Sequence, residues 1–222
     1  MSDPLAGYID RLRVRGCHTV LLSGSRARGD ATETSDWDLI GIRRTGAQER
    51  DATFVDGAYL DAWLLSEADV IGAGESLVFV HGAKVVVERD GWGTRLLASV
   101  AQIAASPPPP MSAAERELRV SWFKKTLGRA GRGDIEGDYR RVWLLSDSLE
   151  GWFVLRGIRY RGPKNALIEL AKRDPDAHAL AAAAFALNSP LDAVAAWIGC
   201  VVSGGDGRGR VLDRVQGSSA NS

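Results

Sequence analysis

Cysteine, histidine and methionine are scarce in this 222-residue chain, with two, three and two copies. Cys17 and Cys200 stand far apart, and a chain this long buries enough core without covalent staples, so no disulfide framework is expected. The expected compartment is then a reducing cytoplasm. His18, His81 and His178 share no ligand spacing, and Cys17 has no evident catalytic partner nearby, so no zinc site and no hydrolase triad is visible. Long apolar runs are missing as well. The opening MSDPLAGYIDRLRVRG has no apolar core of the kind a signal peptide needs, and no later segment approaches the length required to cross a bilayer. Finally there is no net charge, with 28 Lys and Arg against 28 Asp and Glu, which argues against a general nucleic-acid binder. What remains, at 45% hydrophobic residues, is a soluble globular chain of one or two domains without internal repeats.

The zero charge hides an asymmetry. Residues 107–110 are four consecutive prolines; before them stand 11 basic and 15 acidic side chains, after them 17 and 13. Four successive positions without an N–H form a stiff, extended spacer, so a domain boundary is expected at residues 106–110. The two halves thus carry −4 and +4.

In the first half, Leu5, Ile9 and Leu12 recur at helical spacing over residues 5–14, and Gly16 ends that helix. Residues 19–22 and 37–42 read as strands separated by a loop and a helix turn. Residues 52–55 and 58–65 flank Asp56-Gly57, a pair that tolerates the positive dihedrals of a tight hairpin turn. A short helix over 66–72 and a strand over 84–88 complete a small α/β unit on a twisted sheet. Beyond the prolines, Ser112 and Glu115 form an S-x-x-E capping box at the start of a helix running through Glu117, Trp122 and Leu127. A Gly-rich loop is expected over 128–134, and helices over 139–155, 163–173 and 177–187. A fifth is expected to start at Ser189-Pro190, with serine as cap and proline in the first turn. The tryptophans Trp122, Trp143 and Trp152 fall in helices that need apolar faces, and read as core. Residues 203–222 are Gly, Ser and charge without apolar period, and read as a disordered tail.

The chemistry concentrates in GSRARGDATETSDWDL, residues 24–39. Asp36 and Asp38 are two apart on an expected strand, so both carboxylates should leave the same face. Such neighbours repel, and each raises the other's pKa unless a cation sits between them. Hard oxygen donors select Mg²⁺, with Mn²⁺ next. Gly24-Ser25, at the end of a strand and the start of a helix turn, lets backbone approach a ligand and aims N–H groups at an anion. Asp61 lies between Tyr59 and Trp63 on the same face of the hairpin strand. If that strand pairs beside the Asp36/Asp38 strand, three carboxylates converge, enough for two ions roughly 3.5–4 Å apart, the two-metal arrangement for phosphoryl or nucleotidyl displacement. The bland alternatives are a solvated strand end for Asp-x-Asp and an exposed polar residue for Asp61.

These residues resemble the nucleotidyltransferase superfamily of DNA polymerase β, in its minimal branch. That pattern is an apolar strand, Gly-Ser, a helix turn, Asp-x-Asp on the next strand and a third Asp on a later one, and the likeness spans residues 19–65. The resemblance implies an α+β (α/β) nucleotidyltransferase domain over 1–105 with a mixed twisted sheet, then an all-α helical bundle domain over 111–202. It implies that Gly24 and Ser25 bind the β- and γ-phosphates of an NTP, and that Asp36 and Asp38 bind metal. Asp61 is implied as a metal ligand, and as the general base unless Glu150 of the helical half serves. One of Arg26 and Arg28 is implied to contact the triphosphate; the sequence does not choose between them. More loosely, the second half resembles the helical domain of kanamycin nucleotidyltransferase-type enzymes, in which nucleotide and acceptor sit between the two domains. The matching feature is the basic turn from Arg156 to Lys164, expected to bring positive charge, with Lys164 in particular, to the triphosphate. The expected activity is Mg²⁺-dependent transfer of a nucleoside monophosphate from NTP, ATP first, to a hydroxyl of a small acceptor such as an aminoglycoside-like antibiotic, releasing pyrophosphate. The alternatives are an antitoxin-like adenylyltransferase acting on a partner protein and a non-catalytic nucleotide-binding module.

Overall fold

The computed structural model describes residues 4–55 and 57–204. Asp56 of the expected turn, and all but the first two residues of the expected 203–222 tail, lie outside the described residues. The chain divides into two compact units, Met1–Ser106 and Pro107–Ser222. Among the described residues, no helix is long and apolar enough to cross a membrane.

The first unit is a five-stranded mixed sheet with helices on both faces. In chain order it runs α1 (Pro4–Val14), β1 (Cys17–Leu22), α2 (Gly24–Arg28), β2 (Trp37–Arg43), β3 (Glu49–Val55), β4 (Ala58–Ser66), α3 (Glu67–Ile71), a 3-10 helix (Glu75–Val80), β5 (Lys84–Val87) and α4 (Trp92–Ala105). The strand order is β3-β4-β2-β1-β5. Strands β2 and β4 are parallel, and every other neighbouring pair is antiparallel.

Period-two alternation divides the sheet's side chains between two cores. Val20, Leu39, Leu60, Ala62 and Leu64 pack with Tyr8 and Leu12 of α1. On the opposite face Leu21, Ile40, Ile42 and Leu65 pack with Val70 of α3, Leu77 and Val80 of the 3-10 helix, and Leu96 and Val100 of α4. A bidentate ion pair, Arg11 to Asp51 at 2.9 Å for each bond, ties α1 to β3 and holds the Asp51 carboxyl below its ordinary range. The sequence reading assigned no element to 92–105. Helix α4 forms there with the Glu88 carboxylate capping it, through bonds of 2.9 Å from the Gly93 N–H and 3.1 Å from the Thr94 N–H. A cap supplied from before the Gly91 turn departs from the usual residue pattern of a helix start.

Among the described residues the regular elements of the second unit are all helices: α5 (Ala113–Ala130), α6 (Ile135–Val154), α7 (Pro163–Arg173), α8 (Pro175–Phe185) and α9 (Leu191–Ser203). The Ser112/Glu115 capping box forms as expected. Helix α5 continues through Gly128, so the loop shrinks to residues 131–134. Helix α6 starts four residues earlier than expected because Asp134 caps it, accepting from the Gly137 N–H at 2.8 Å. At α9 the cap position belongs to Pro190. The Ser189 hydroxyl is buried and donates to the Ala184 carbonyl at 2.8 Å, so it caps nothing. Trp152 and Trp197 are core residues, while Trp122 is part-buried against that core and meets Trp143 edge-on at 5.4 Å between ring centroids.

Candidate active site

Asp38 and Asp61 are cross-strand partners in the parallel β2/β4 register, so their side chains leave the same face. That face also carries Ile40 and Ile42 beside Trp63 and Leu65, and the carboxylates lie at its end. Asp36 is not on the strand: β2 begins at Trp37, and Asp36 ends the preceding loop as an exposed residue. The expectation that Asp36 and Asp38 share a strand face is corrected accordingly. The loop is held instead by Arg26, whose guanidinium donates to the Ser35 carbonyl at 2.6 Å and the Asp36 carbonyl at 3.1 Å while lying 4.1 Å from the Trp37 ring centroid. A planar cation with several donors suits this double task, which a lysine would not reproduce.

The turn after β1 meets Asp38 directly. Gly24 has φ +64°, and a Cβ built there would lie 1.8 Å from Asp38 Oδ2, so the Asp38 carboxylate rests on bare glycine backbone. The Ser23 N–H donates to the Asp38 carbonyl at 2.8 Å, locking the turn to the strand. Helix α2, which contains Gly24 and Ser25, closes at Gly29 in a left-handed conformation. Burial pushes the Asp38 carboxyl above its ordinary range, and the neighbouring charges of Asp61 and Asp36 push it further; Arg28 and Arg26 act the other way. Arg28 itself pairs with Asp30 at 3.3 Å and is partly exposed.

One contact was absent from the sequence reading. Arg50 of β3 donates to both oxygens of Asp61, at 2.7 and 2.6 Å, with its guanidinium 5.6 Å from the Trp63 ring centroid. The sequence held the parts, but only the β3/β4 register, which sets Arg50 opposite Trp63 and Ala52 opposite Asp61, brings them together.

The donor set therefore fits an implied divalent ion only in part. The hard oxygens of Asp36 and Asp38 are of the type that suits one such ion, and Asp38 feels the negative charge of Asp61 and Asp36. The full triad is not assembled. Among the described residues no group of three or more His, Cys, Asp and Glu side chains is placed to hold a metal, and both Asp61 oxygens are taken by a side chain from the strand on the far side of β4.

The residues expected from the helical half belong to the second unit. Lys164 is exposed in the first turn of α7, and Glu150, on α6, lies 4.0 Å from Arg119. Arg156 is not a ligand in waiting. Its guanidinium donates to the carbonyls of Cys200 at 2.8 Å and of Val201 and Trp152 at 3.2 Å, and lies 4.3 Å from the Trp152 ring centroid. It satisfies helix-end carbonyls, and burial lowers its pKa from the ordinary value.

No protein-family model matches the sequence, and no curated protein matches it. Among solved structures, the chain is similar to a nucleotidyltransferase-like protein from Exiguobacterium sibiricum 255-15. The identity is 14%, over 89% of this chain and 70% of that one, with a TM-score of 0.41. A likeness this distant decides nothing about chemistry.

Proposed function

We propose that the first unit transfers a nucleoside monophosphate from an NTP, ATP first, to a hydroxyl of a small-molecule acceptor, releasing pyrophosphate. The supporting observation is the close approach of the Asp38 carboxylate to Gly24, with Asp61 directly across the sheet. This brings an anion-binding type of turn and an acidic strand end to one place, as a triphosphate enzyme requires. A bound Mg²⁺, or Mn²⁺ in its stead, held by Asp36 and Asp38, would supply positive charge against the phosphates. The chain's own residues do the rest. Gly24 and Ser25 present backbone to the β- and γ-phosphates. Arg26 keeps the Asp36 loop in place, which leaves Arg28 as the arginine of the pair able to turn to the triphosphate. Asp61, on the face of Asp38, takes the acceptor's proton. An aminoglycoside-like antibiotic is the first acceptor class, and a hydroxyl of a partner protein the second.

A nucleotide-binding module without turnover is the alternative, and the Arg50–Asp61 pair favours it, since it occupies the base. The two readings separate in one assay. Transfer predicts Mg²⁺-dependent pyrophosphate release that rises with added hydroxylated acceptor and is lost in Asp38→Asn. That variant should fold, because the raised Asp38 pKa means the ionised carboxylate costs the fold stability at neutral pH. Equal ATP consumption by wild type and Asp38→Asn refutes the assignment. Saturable NTP binding without pyrophosphate, under every acceptor and protein extract tried, selects the binding module.

A further inference from the structure

Helices α5 and α6 form an antiparallel hairpin joined by residues 131–134, with Trp122 against Trp143 at 5.4 Å between ring centroids and Arg119 4.0 Å from Glu150. One face of this hairpin is apolar at the surface. Ile135, Tyr139 and Val142 recur at spacings of four and three along α6, and Leu118 precedes Trp122 by one turn of α5. Leu118, Ile135, Tyr139 and Val142 are between 65 and 88% exposed, and Trp143, which the sequence pattern reads as core, is 41% exposed. Tyr139 meets Trp143 at 6.3 Å between ring centroids, so the stripes of the two helices join into a single patch. Soluble chains rarely expose contiguous apolar surface beyond a few hundred Å², and a larger patch marks an interaction site. A face about 27 Å long, from the 18 residues of α5, and two helix widths across is of the order of the roughly 800 Å² per partner in a standard interface.

We propose that this face is where two copies of the chain pair, α5 of one on α6 of the other, making a four-helix bundle. Charge argues for a second copy over an unrelated partner. Helix α5 holds five basic and two acidic side chains, 5 − 2 = +3, while α6 holds two basic and four acidic, 2 − 4 = −2. Beside the 131–134 loop, α5 presents Lys125 and Arg129 and α6 presents Asp138; all three are exposed, and among the described residues none of them makes an ion pair. The neighbouring Glu136 is already held by Arg132 at 2.9 Å and by Arg140 at 3.6 Å. A two-fold axis running along the hairpin lays the basic helix of each copy on the acidic helix of the other, twice over, with the apolar stripes between them. An axis across the hairpin would set α5 on α5 and α6 on α6, like charge on like. The pairing stands apart from the proposed nucleotidyl transfer, since none of the patch residues enters it.

The test is the mass of the full chain in solution, measured by sedimentation equilibrium across the micromolar range. Wild type should be dimeric. Val142→Glu and Leu118→Glu, each at an exposed position, should weaken the dimer at least about tenfold by placing a charge in the apolar stripe. Lys125→Glu combined with Arg129→Glu sets acid against Asp138 and should weaken it too, as should Asp138→Lys, which sets base against base. Mixed in equal amounts, these last two proteins should pair again, because at both contacts a basic group then meets an acidic one. A segment of the same chain or an unrelated partner lying on the face would give no such rescue. Circular dichroism confirms that each variant is folded. A wild-type monomer at every concentration overturns the inference. So does a dimer indifferent to both Val142→Glu and Leu118→Glu, or a mixture no more associated than its components.

Discussion

Gly24 offers the sharpest test of the site's architecture, because two separable costs meet there. An alanine at φ +64° pays the left-handed penalty of an L-residue, about 1–2 kcal/mol. Its Cβ would also sit 1.8 Å from Asp38 Oδ2 and 2.7 Å from Asp38 Cγ, so the carboxylate must rotate away. Forcing a side chain about 30° off its rotamer costs roughly 0.5–1.5 kcal/mol. Gly24→Ala should therefore destabilise the first unit by about 1.5–3.5 kcal/mol. Gly29 is the control: φ is +85°, yet nothing lies within 4 Å of its would-be Cβ, so Gly29→Ala should cost only the conformational part, about 1–2 kcal/mol. The steric part is isolated by a cycle with Asp38→Ala, which removes the clashing atoms. Gly24→Ala and Asp38→Ala should couple by about 0.5–1.5 kcal/mol, the double variant being more stable than the sum predicts. A chain of two units need not unfold in one step, so the readout is hydrogen–deuterium exchange of peptides from β1 and β2. Coupling indistinguishable from zero, within about 0.3 kcal/mol, would refute the claim that Asp38 rests on Gly24.

Two further outcomes are expected. The Trp197 indole N–H donates to Ser148 Oγ at 2.7 Å inside the second unit, so Ser148→Ala should cost about 1–3 kcal/mol by stranding a buried donor. Exchange protection in α6 and α9 measures it, and a loss below about 0.5 kcal/mol contradicts the bond's importance. Burial pushes the Cys17 thiol from 9.0 up to about 11, so iodoacetamide should label it only on unfolding. Above pH 9 the unfolded thiol loses its proton first, so this contribution to stability, full below 9, fades as pH rises through about 11. Cys17→Ser should flatten that part of the profile, and an unchanged alkaline slope counts against burial as its cause.

Where local pattern decides, sequence and structure agree closely. Helix α7 occupies residues 163–173 as its proline start implies, and the strands around Gly57 flank the expected turn with ends shifted by up to three residues. The failures arise where a side chain takes a partner outside the usual local pattern of its residue type. Glu88 caps α4 from before the Gly91 turn, Ser189 turns inward to Ala184 instead of capping α9, and Arg156 is absorbed by the end of a helix more than forty residues on. At the site, spacing put Asp36 and Asp38 on one face and left Asp61 beside them only if its strand paired there; the parallel β2/β4 register supplies that pairing for Asp38 and Asp61, while Asp36 falls outside the strand. The occupant of Asp61 was invisible, since Arg50 meets it only through the β3/β4 register.

The Asp-x-Asp pair also proves unequal in a way its spacing hides. Asp38 is positioned by the sheet: its register with Asp61, the Ser23 N–H on its carbonyl and the bare face of Gly24 all act on it. Asp36 is positioned by a loop, and that loop is fastened by the two carbonyl contacts and the Trp37 stacking of Arg26. Perturbing Arg26 should therefore displace Asp36 while leaving Asp38 in register, whereas perturbing Gly24 does the reverse. Charge follows the same division. Asp38 is the half-buried carboxylate whose ionisation is opposed by burial, while Asp36 stands in solvent and contributes mainly as a neighbouring charge. The motif thus joins one rigid carboxylate to one loop-borne carboxylate, and the arginine next to Ser25 governs the second.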